Sequence, residues 1–111
     1  MASLNQVTLI GNLTRDPESR QLQGGDVVAN CGIAINEHWT DKSGAKQESV
    51  TFVDFEIWGR LAEVLMQYCK KGKLVCVSGK LKLDEWEDRE TGQKRSKLKV
   101  RALGIQLLGG R

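Results

Sequence analysis

Histidine, proline and cysteine are all scarce in this chain of 111 residues, which has one histidine, one proline and three cysteines. The single histidine, His38, has no nucleophile motif around it, and the sequence contains no H-E-x-x-H, G-x-S-x-G or phosphate-loop pattern. Cys31, Cys69 and Cys76 form no Cys-x-x-Cys pair, which argues against a disulfide framework and a zinc site. The sequence therefore predicts a protein that is not an enzyme and needs no metal or cofactor.

Long apolar runs and a secretion signal are also missing. The apolar runs are only a few residues long, and the start, "MASLNQVTLIGN", lacks the basic residues, apolar stretch and cleavage site of a signal peptide. These absences predict a cytoplasmic protein.

With 40% hydrophobic and 28% charged residues, the chain has the composition of one folded domain, residues 1–111. Its formal charge of +3 favours a polyanionic partner only mildly, so the distribution of charge matters more.

Alternation of apolar and polar residues recurs along the chain and predicts strands at residues 5–13, 27–37, 51–58, 73–86 and 95–103. Between the third and fourth strands the apolar spacing becomes helical, with Gly72 as the predicted C-terminal cap. The polar residues 40–49 are predicted to form a mobile loop that folds over a ligand. This order is that of an all-β, five-stranded OB-fold barrel with one short helix, although other small α+β folds share it.

Residue parity separates the two faces of each predicted strand. In the last two strands, the apolar parity predicts a core contribution from Leu81, Leu83, Leu98 and Val100. The opposite parity carries Trp86 and a basic row, namely Lys80, Lys82, Arg95, Lys97, Lys99 and Arg101. We therefore expect Trp86 to lie on the outer surface among cations.

The third predicted strand repeats this arrangement, with Phe52 and Trp58 on a polar face together with Asp54 and Glu56. Aromatic rings among lysines and arginines suit single-stranded nucleic acid, because each stacked base contributes about 1 to 3 kcal/mol and cations follow the phosphates. Each of these features, taken alone, also fits a different role. Trp86 could cover a local apolar cluster, the third-strand aromatics could form an oligomer interface, and the basic row could be a solvated face.

Five segments together resemble the bacterial single-stranded DNA-binding protein family over nearly the whole chain: "VTLIGNLTRDPESR", "AINEHWTDKSG", "WGRLAEVLMQYCKKG", "VSGKLKLDEW" and "QLLGGR". The resemblance implies an OB barrel that assembles into homotetramers, otherwise dimers. It also implies sequence-independent binding and protection of single-stranded DNA in replication, recombination and repair, in the bacterial cytoplasm at the nucleoid.

The resemblance also assigns site residues. The family's stacking aromatics fall on Trp39, Phe52, Trp58 and Trp86, and for Trp39 the resemblance is the only support, because parity places it on the core side. The predicted phosphate contacts are the cations that match the family and further members of the basic row other than Arg95: Lys42, Arg60, Lys71, Lys80, Lys82, Lys97, Lys99 and Arg101.

Several features depart from the family pattern. Asp84 and Glu85 precede Trp86, and Asp54 separates two aromatics, so we expect these carboxylates to repel phosphate. Binding should then be weaker or more salt-sensitive than is usual in the family, or the DNA path should shift toward residues 97–101. Leu74 and Cys76 have outward parity yet are apolar, which predicts that another subunit covers them.

The sequence ends at residue 111, where family members usually continue into a linker and an acidic tail. The tail is therefore expected to be absent, and recruitment of replication or repair partners through it is not expected. One alternative is a primosome-type OB-fold accessory protein that dimerises and acts mainly through protein partners. An OB-fold nuclease using Asp54 or Glu56 is a more distant alternative.

Overall fold

The structure is a computed structural model that describes residues 1–109; the last two residues of the "QLLGGR" motif lie outside this range. Within it there are six strands and one helix: β1 (Val7–Leu13), β2 (Glu18–Gln21), β3 (Val27–Thr40), β4 (Lys46–Trp58), α1 (Arg60–Tyr68), β5 (Leu74–Glu87) and β6 (Lys94–Leu107). In the described part of the chain, no helix is long and apolar enough to span a bilayer.

Five of the strands close into a barrel. The sheet runs β1-β5-β6-β4-β3, and β3 pairs again with β1, which closes the ring. The pairing of β4 with β6 is parallel, at Phe55–Ile57 against Val100–Ala102, and the other pairings are antiparallel. The predicted OB-fold barrel is thus confirmed, with the helix between its third and fourth strands. The short strand β2, which was not predicted, pairs only with β3, and its four exposed residues give no alternating pattern.

The barrel core takes apolar side chains from every barrel strand and from α1. Helix α1 packs against β3 and buries Ala62 and Leu65. The predicted cap is wrong: the helix ends at Tyr68, Cys69 is extended, and Gly72 lies in the following turn with a φ of 92°. The fully enclosed core residues are Leu13, Ala29, Cys31, Ile33, Phe55, Ile57, Ala62, Leu65, Cys69, Val75, Val77, Val100 and Ala102.

Two long hairpins extend beyond the barrel. The β3–β4 arm is paired as far as Thr40 with Lys46, and the β5–β6 arm as far as Glu87 with Lys94. The predicted core position of three leucines is therefore wrong: Leu81, Leu83 and Leu98 are 42%, 52% and 57% exposed, while Val100 is buried. Strand β6 meets β4 only from Val100 onward, so within residues 1–109 the leucines of the arm stay partly open to solvent.

Candidate nucleic-acid interface

Trp58 ends β4 and is half-buried, because two neighbouring side chains hold its ring. The guanidinium carbon of Arg101 lies 4.8 Å from the ring centroid, within the range of a cation–π contact. At the edge of the indole, the ring N–H donates a hydrogen bond to the Oε2 of Glu56. Trp58, one of the two aromatics predicted on the outer face of the third strand, is therefore held in place rather than freely exposed.

Glu56, which parity placed on the wet face, is in fact only 3% exposed and forms the centre of an ionic network. The Nζ of Lys99 lies 2.6 Å from the Oε1 of Glu56 and 2.5 Å from the Oδ2 of Asp84. Lys82 joins the same two carboxylates at 3.8 and 3.7 Å. The register explains this meeting, because Lys82 lies opposite Lys99 on β5 and β6, and Arg101 lies beside Glu56.

The network determines the protonation of its members. Burial alone would raise the pKa of Glu56, but hydrogen bonds from Lys99 and Trp58 outweigh it and hold the pKa below its ordinary value. The hydrogen bond from Lys99 likewise lowers the pKa of Asp84. Burial alone would lower the pKa of Lys99, yet hydrogen bonds to Asp84 and Glu56 raise it overall. All of these groups are therefore charged at neutral pH.

A second ionic cluster surrounds Asp54. Lys97 donates a hydrogen bond to its Oδ2, and the Nη1 of Arg15 lies 3.4 Å from its Oδ1. The hydrogen bond from Lys97 is the main reason that the pKa of Asp54 lies below its ordinary value, and burial opposes it. Asp54 and Asp84, the carboxylates expected to repel phosphate, are thus both paired with lysines that were predicted to contact phosphate.

Two grooves adjoin these clusters and share Asp54, Lys97 and Lys99 in their linings. The first groove has a volume of about 400 Å³ and the second about 430 Å³. Trp86, which is 47% exposed, lines the first groove, whereas Phe52, which is 72% exposed, lines the second. Two accessible rings therefore line grooves that share the same charged residues.

Trp39 and Lys42 lie at the end of the β3–β4 arm. Trp39 is 49% exposed and lines a separate groove with His38, Thr40, Lys46 and Gln47. The predicted long mobile loop is wrong, because the strands continue to Thr40 and resume at Lys46, which leaves a five-residue tip at 41–45. Asp41 fixes this tip by accepting hydrogen bonds from Ser43, Ala45 and Gln47. These bonds, above all the one from the Ser43 side chain, lower the pKa of Asp41 to about 2.

The remaining predicted cations lie on other parts of the barrel. Arg60 is the first residue of α1. Lys71 lies in the turn after the helix, where the backbone N–H of Lys71 donates a hydrogen bond to the Oδ1 of Asp16. Lys80 is exposed on β5 opposite Arg101. Sequence reasoning missed Arg15, which lines the first groove; its position within the "GNLTRDPE" segment was the available signal.

A closed OB barrel whose strands carry accessible aromatic rings among lysines and arginines has the architecture of a nucleic-acid-binding domain. The model of the Single-strand binding protein family matches residues 4–108, and the chain belongs to this family.

Its relatives are bacterial proteins of the same description. The chain is 45% identical over 104 residues to the single-stranded DNA-binding protein of Wolinella succinogenes, an alignment that covers 94% of this chain and 64% of that relative. It is 40% identical over 109 residues to single-stranded DNA-binding protein 1 of Synechocystis sp., covering 98% and 87% of the two chains. The chain thus spans less than two thirds of the first relative.

Two solved structures have the same fold. A deletion mutant of the single-stranded DNA binding protein from Thermus aquaticus has a TM-score of 0.84 and 38% identity, covering 97% of this chain and 52% of that one. A Plasmodium falciparum SSB in complex with ssDNA has a TM-score of 0.85 and 25% identity, covering 98% of both chains.

Proposed function

We propose that this protein binds and protects single-stranded DNA without sequence preference and without catalysing a reaction. The observation that carries the proposal is the pairing of accessible rings with cations: Phe52 and Trp86 line two grooves that share Lys97 and Lys99. Family membership supports it, as does the likeness to an SSB structure that contains ssDNA. The process served is the replication, recombination and repair of DNA in the bacterial cytoplasm, at the nucleoid.

Stacking would supply the sequence-independent part of the affinity. Phe52 and Trp86 expose their rings, so bases can lie against them at a gain of about 1 to 3 kcal/mol each. Trp58 would offer a base the ring surface that Arg101 leaves free, and Trp39 would stack a base at the end of the β3–β4 arm. Phosphates would be contacted by the cations along the strands and beside the helix: Lys42, Arg60, Lys71, Lys80, Lys82, Lys97, Lys99 and Arg101.

Titration with oligo(dT) tests this function directly, because three tryptophans are proposed to contact bases. We expect tryptophan fluorescence to be quenched at low salt, and the affinity to fall as salt rises, with a slope of about −0.7 per phosphate contact. A duplex of equal length should quench weakly, since its bases are already stacked. Unchanged fluorescence with oligo(dT) at low salt would contradict the proposal.

The chain is also proposed to form a homo-oligomer, a tetramer or otherwise a dimer. Ile10 on β1 lies opposite Cys76 on β5, on the face of the sheet away from the core, and Ile10 is 55% exposed. Leu74 lies on the same face of β5. A second copy covering this apolar strip would remove it from water. The primosome-type alternative finds no support in the family match or in the relatives.

A further inference from the structure

Among the lysines proposed to contact phosphate, the three with the closest partners are held by carboxylates of the same chain. Lys97 is bound to Asp54. Lys99 is bound to both Asp84 and Glu56. Lys82 contacts Asp84 and Glu56 at longer distances. A carboxylate and a phosphate offer a lysine the same kind of charged oxygen acceptor. The DNA-free protein therefore already occupies these lysines with internal acceptors.

The carboxylates differ in how freely they can release their partners. Glu56 is buried at 3% exposure and accepts from both Trp58 and Lys99, so its charge would be left unpaired away from water if both were lost. The Asp54 and Asp84 side chains are 33% exposed, and water can solvate them once a lysine departs. Lys97 is itself 57% exposed and bound to Asp54, which makes this the pair that separates most easily.

We propose that Asp54 and Asp84 compete with DNA phosphates for Lys97 and Lys99, so that binding exchanges internal ion pairs for phosphate contacts. This inference rests on the proposed function, because it concerns the same grooves. The carboxylates lower the affinity and suppress the salt dependence, because a carboxylate that loses its lysine takes up a cation from solution and so offsets the counterion that the phosphate releases.

Charge-removing variants test the exchange. In Asp54→Asn, Lys97 becomes available, so we expect oligo(dT) affinity to rise about three- to tenfold. In Asp84→Asn the rise should be smaller, because Glu56 still holds Lys99. The slope of log K against log salt should steepen by about 0.7 for each lysine released. Glu85→Gln is the matched control: it removes the same charge from the neighbouring position on β5, and Glu85 forms no ion pair with any residue from 1 to 109.

A double-mutant cycle shows whether the freed lysine is responsible. In a background that lacks both cations bound to Asp54, Lys97→Met with Arg15→Met, Asp54→Asn should give no gain in affinity and no steeper slope. Melting temperatures establish that each variant is folded, and Asp54→Ser serves as a second variant if the asparagine protein does not fold.

The outcomes separate this inference from the proposed function. An equal gain from Glu85→Gln, or a gain from Asp54→Asn that persists without both Lys97 and Arg15, would show a general charge effect and overturn the exchange. If the wild-type protein binds oligo(dT) and both aspartate variants bind it with the same affinity, the exchange is overturned and the proposed function stands. A wild-type protein that does not bind oligo(dT) at low salt would overturn both.

Discussion

The guanidinium of Arg101 stacks on the ring of Trp58, with 4.8 Å between the guanidinium carbon and the ring centroid. Because Glu56 also accepts a hydrogen bond from the indole N–H, the ring is oriented before any ligand arrives. A pre-oriented ring loses little rotamer freedom when a base stacks on it, which preserves more of the stacking energy for binding.

Substitutions at Arg101 should separate its charge from its planar shape. Arg101→Lys keeps the charge but loses the stacked guanidinium, so we expect oligo(dT) affinity to fall several-fold with an unchanged salt slope. Arg101→Met should weaken binding further and reduce the slope by about 0.7. Anisotropy titrations with labelled oligo(dT) at several salt concentrations measure both quantities. A slope that falls equally in the lysine variant would contradict the role of the planar group.

Trp86→Ala should weaken oligo(dT) binding by about 1 to 3 kcal/mol, because one stacking ring is lost from the first groove. Its melting temperature should change little, since the ring is 47% exposed on an arm outside the barrel. Tyr68→Ala is the matched control, because Tyr68 is an exposed aromatic on α1 that lines none of the described grooves. Equal losses of affinity in the two variants would contradict the stacking role of Trp86.

Gly79→Ala should destabilise the barrel by about 1 to 3 kcal/mol or more, because a Cβ at this position would lie 2.0 Å from the carbonyl oxygen of Arg101. The β5–β6 register shifts between Ser78 and Gly79, which brings the two backbones this close. Gly24→Ala is the control, since a Cβ there meets no atom within 4 Å. Urea unfolding should separate the two variants; equal midpoints would show that the strands can move apart freely.

Acid should destabilise the protein. Asp54, Asp84 and Glu56 have lowered pKa values in the folded state, so their contribution is complete above the ordinary carboxyl pKa of about 4 and is lost as pH falls through the lowered values. Asp41, whose pKa is lowered to about 2, should release the β3–β4 tip as pH falls toward that value. Melting curves from pH 7 to pH 2, with NMR titration of the carboxyl signals, measure both effects. Asp41 titrating near 4 would contradict the hydrogen-bonded tip.

Ile10→Glu should lower the molecular mass in solution, because a carboxylate would be placed opposite Cys76 on the strip proposed to contact a second copy. Light scattering coupled to size exclusion measures the mass, and a melting curve establishes that the barrel is intact. Leu103→Glu, on β6 at 64% exposure, is the control for a new charge on an exposed apolar position. An unchanged mass in the Ile10 variant would place the interface elsewhere.

Sequence periodicity predicted the barrel strands because alternate apolar residues such as Phe55 and Ile57 do lie in the core, although Glu56 between them is also buried. It failed where the strands leave the barrel. Leu81 and Leu83 keep the apolar alternation of a core strand, yet within residues 1–109 no facing layer encloses them. Local sequence does not record how far a strand extends beyond its neighbours.

The site was predictable as a set of residue types but not as a set of contacts. Parity placed Asp54, Glu56 and the basic row on outward faces, but the pairing of Lys97 with Asp54 depends on how β6 lies beside β4. That long-range register joins residues that are 43 positions apart in the chain. A carboxylate that looks repulsive in the sequence is therefore neutralised in the fold.

The lysines of the β5–β6 arm also lie on a strand with an open edge. Residues 94–99 of β6 pair only with β5, so the other edge of this strand is open among the described residues, beside the exposed Leu98. Open edges with apolar side chains invite strand-to-strand aggregation, and lysine is a common protection against it. Removing Lys97 and Lys99 together to abolish DNA binding would therefore also remove a barrier to self-association, and such variants should be handled as dilute, freshly prepared samples.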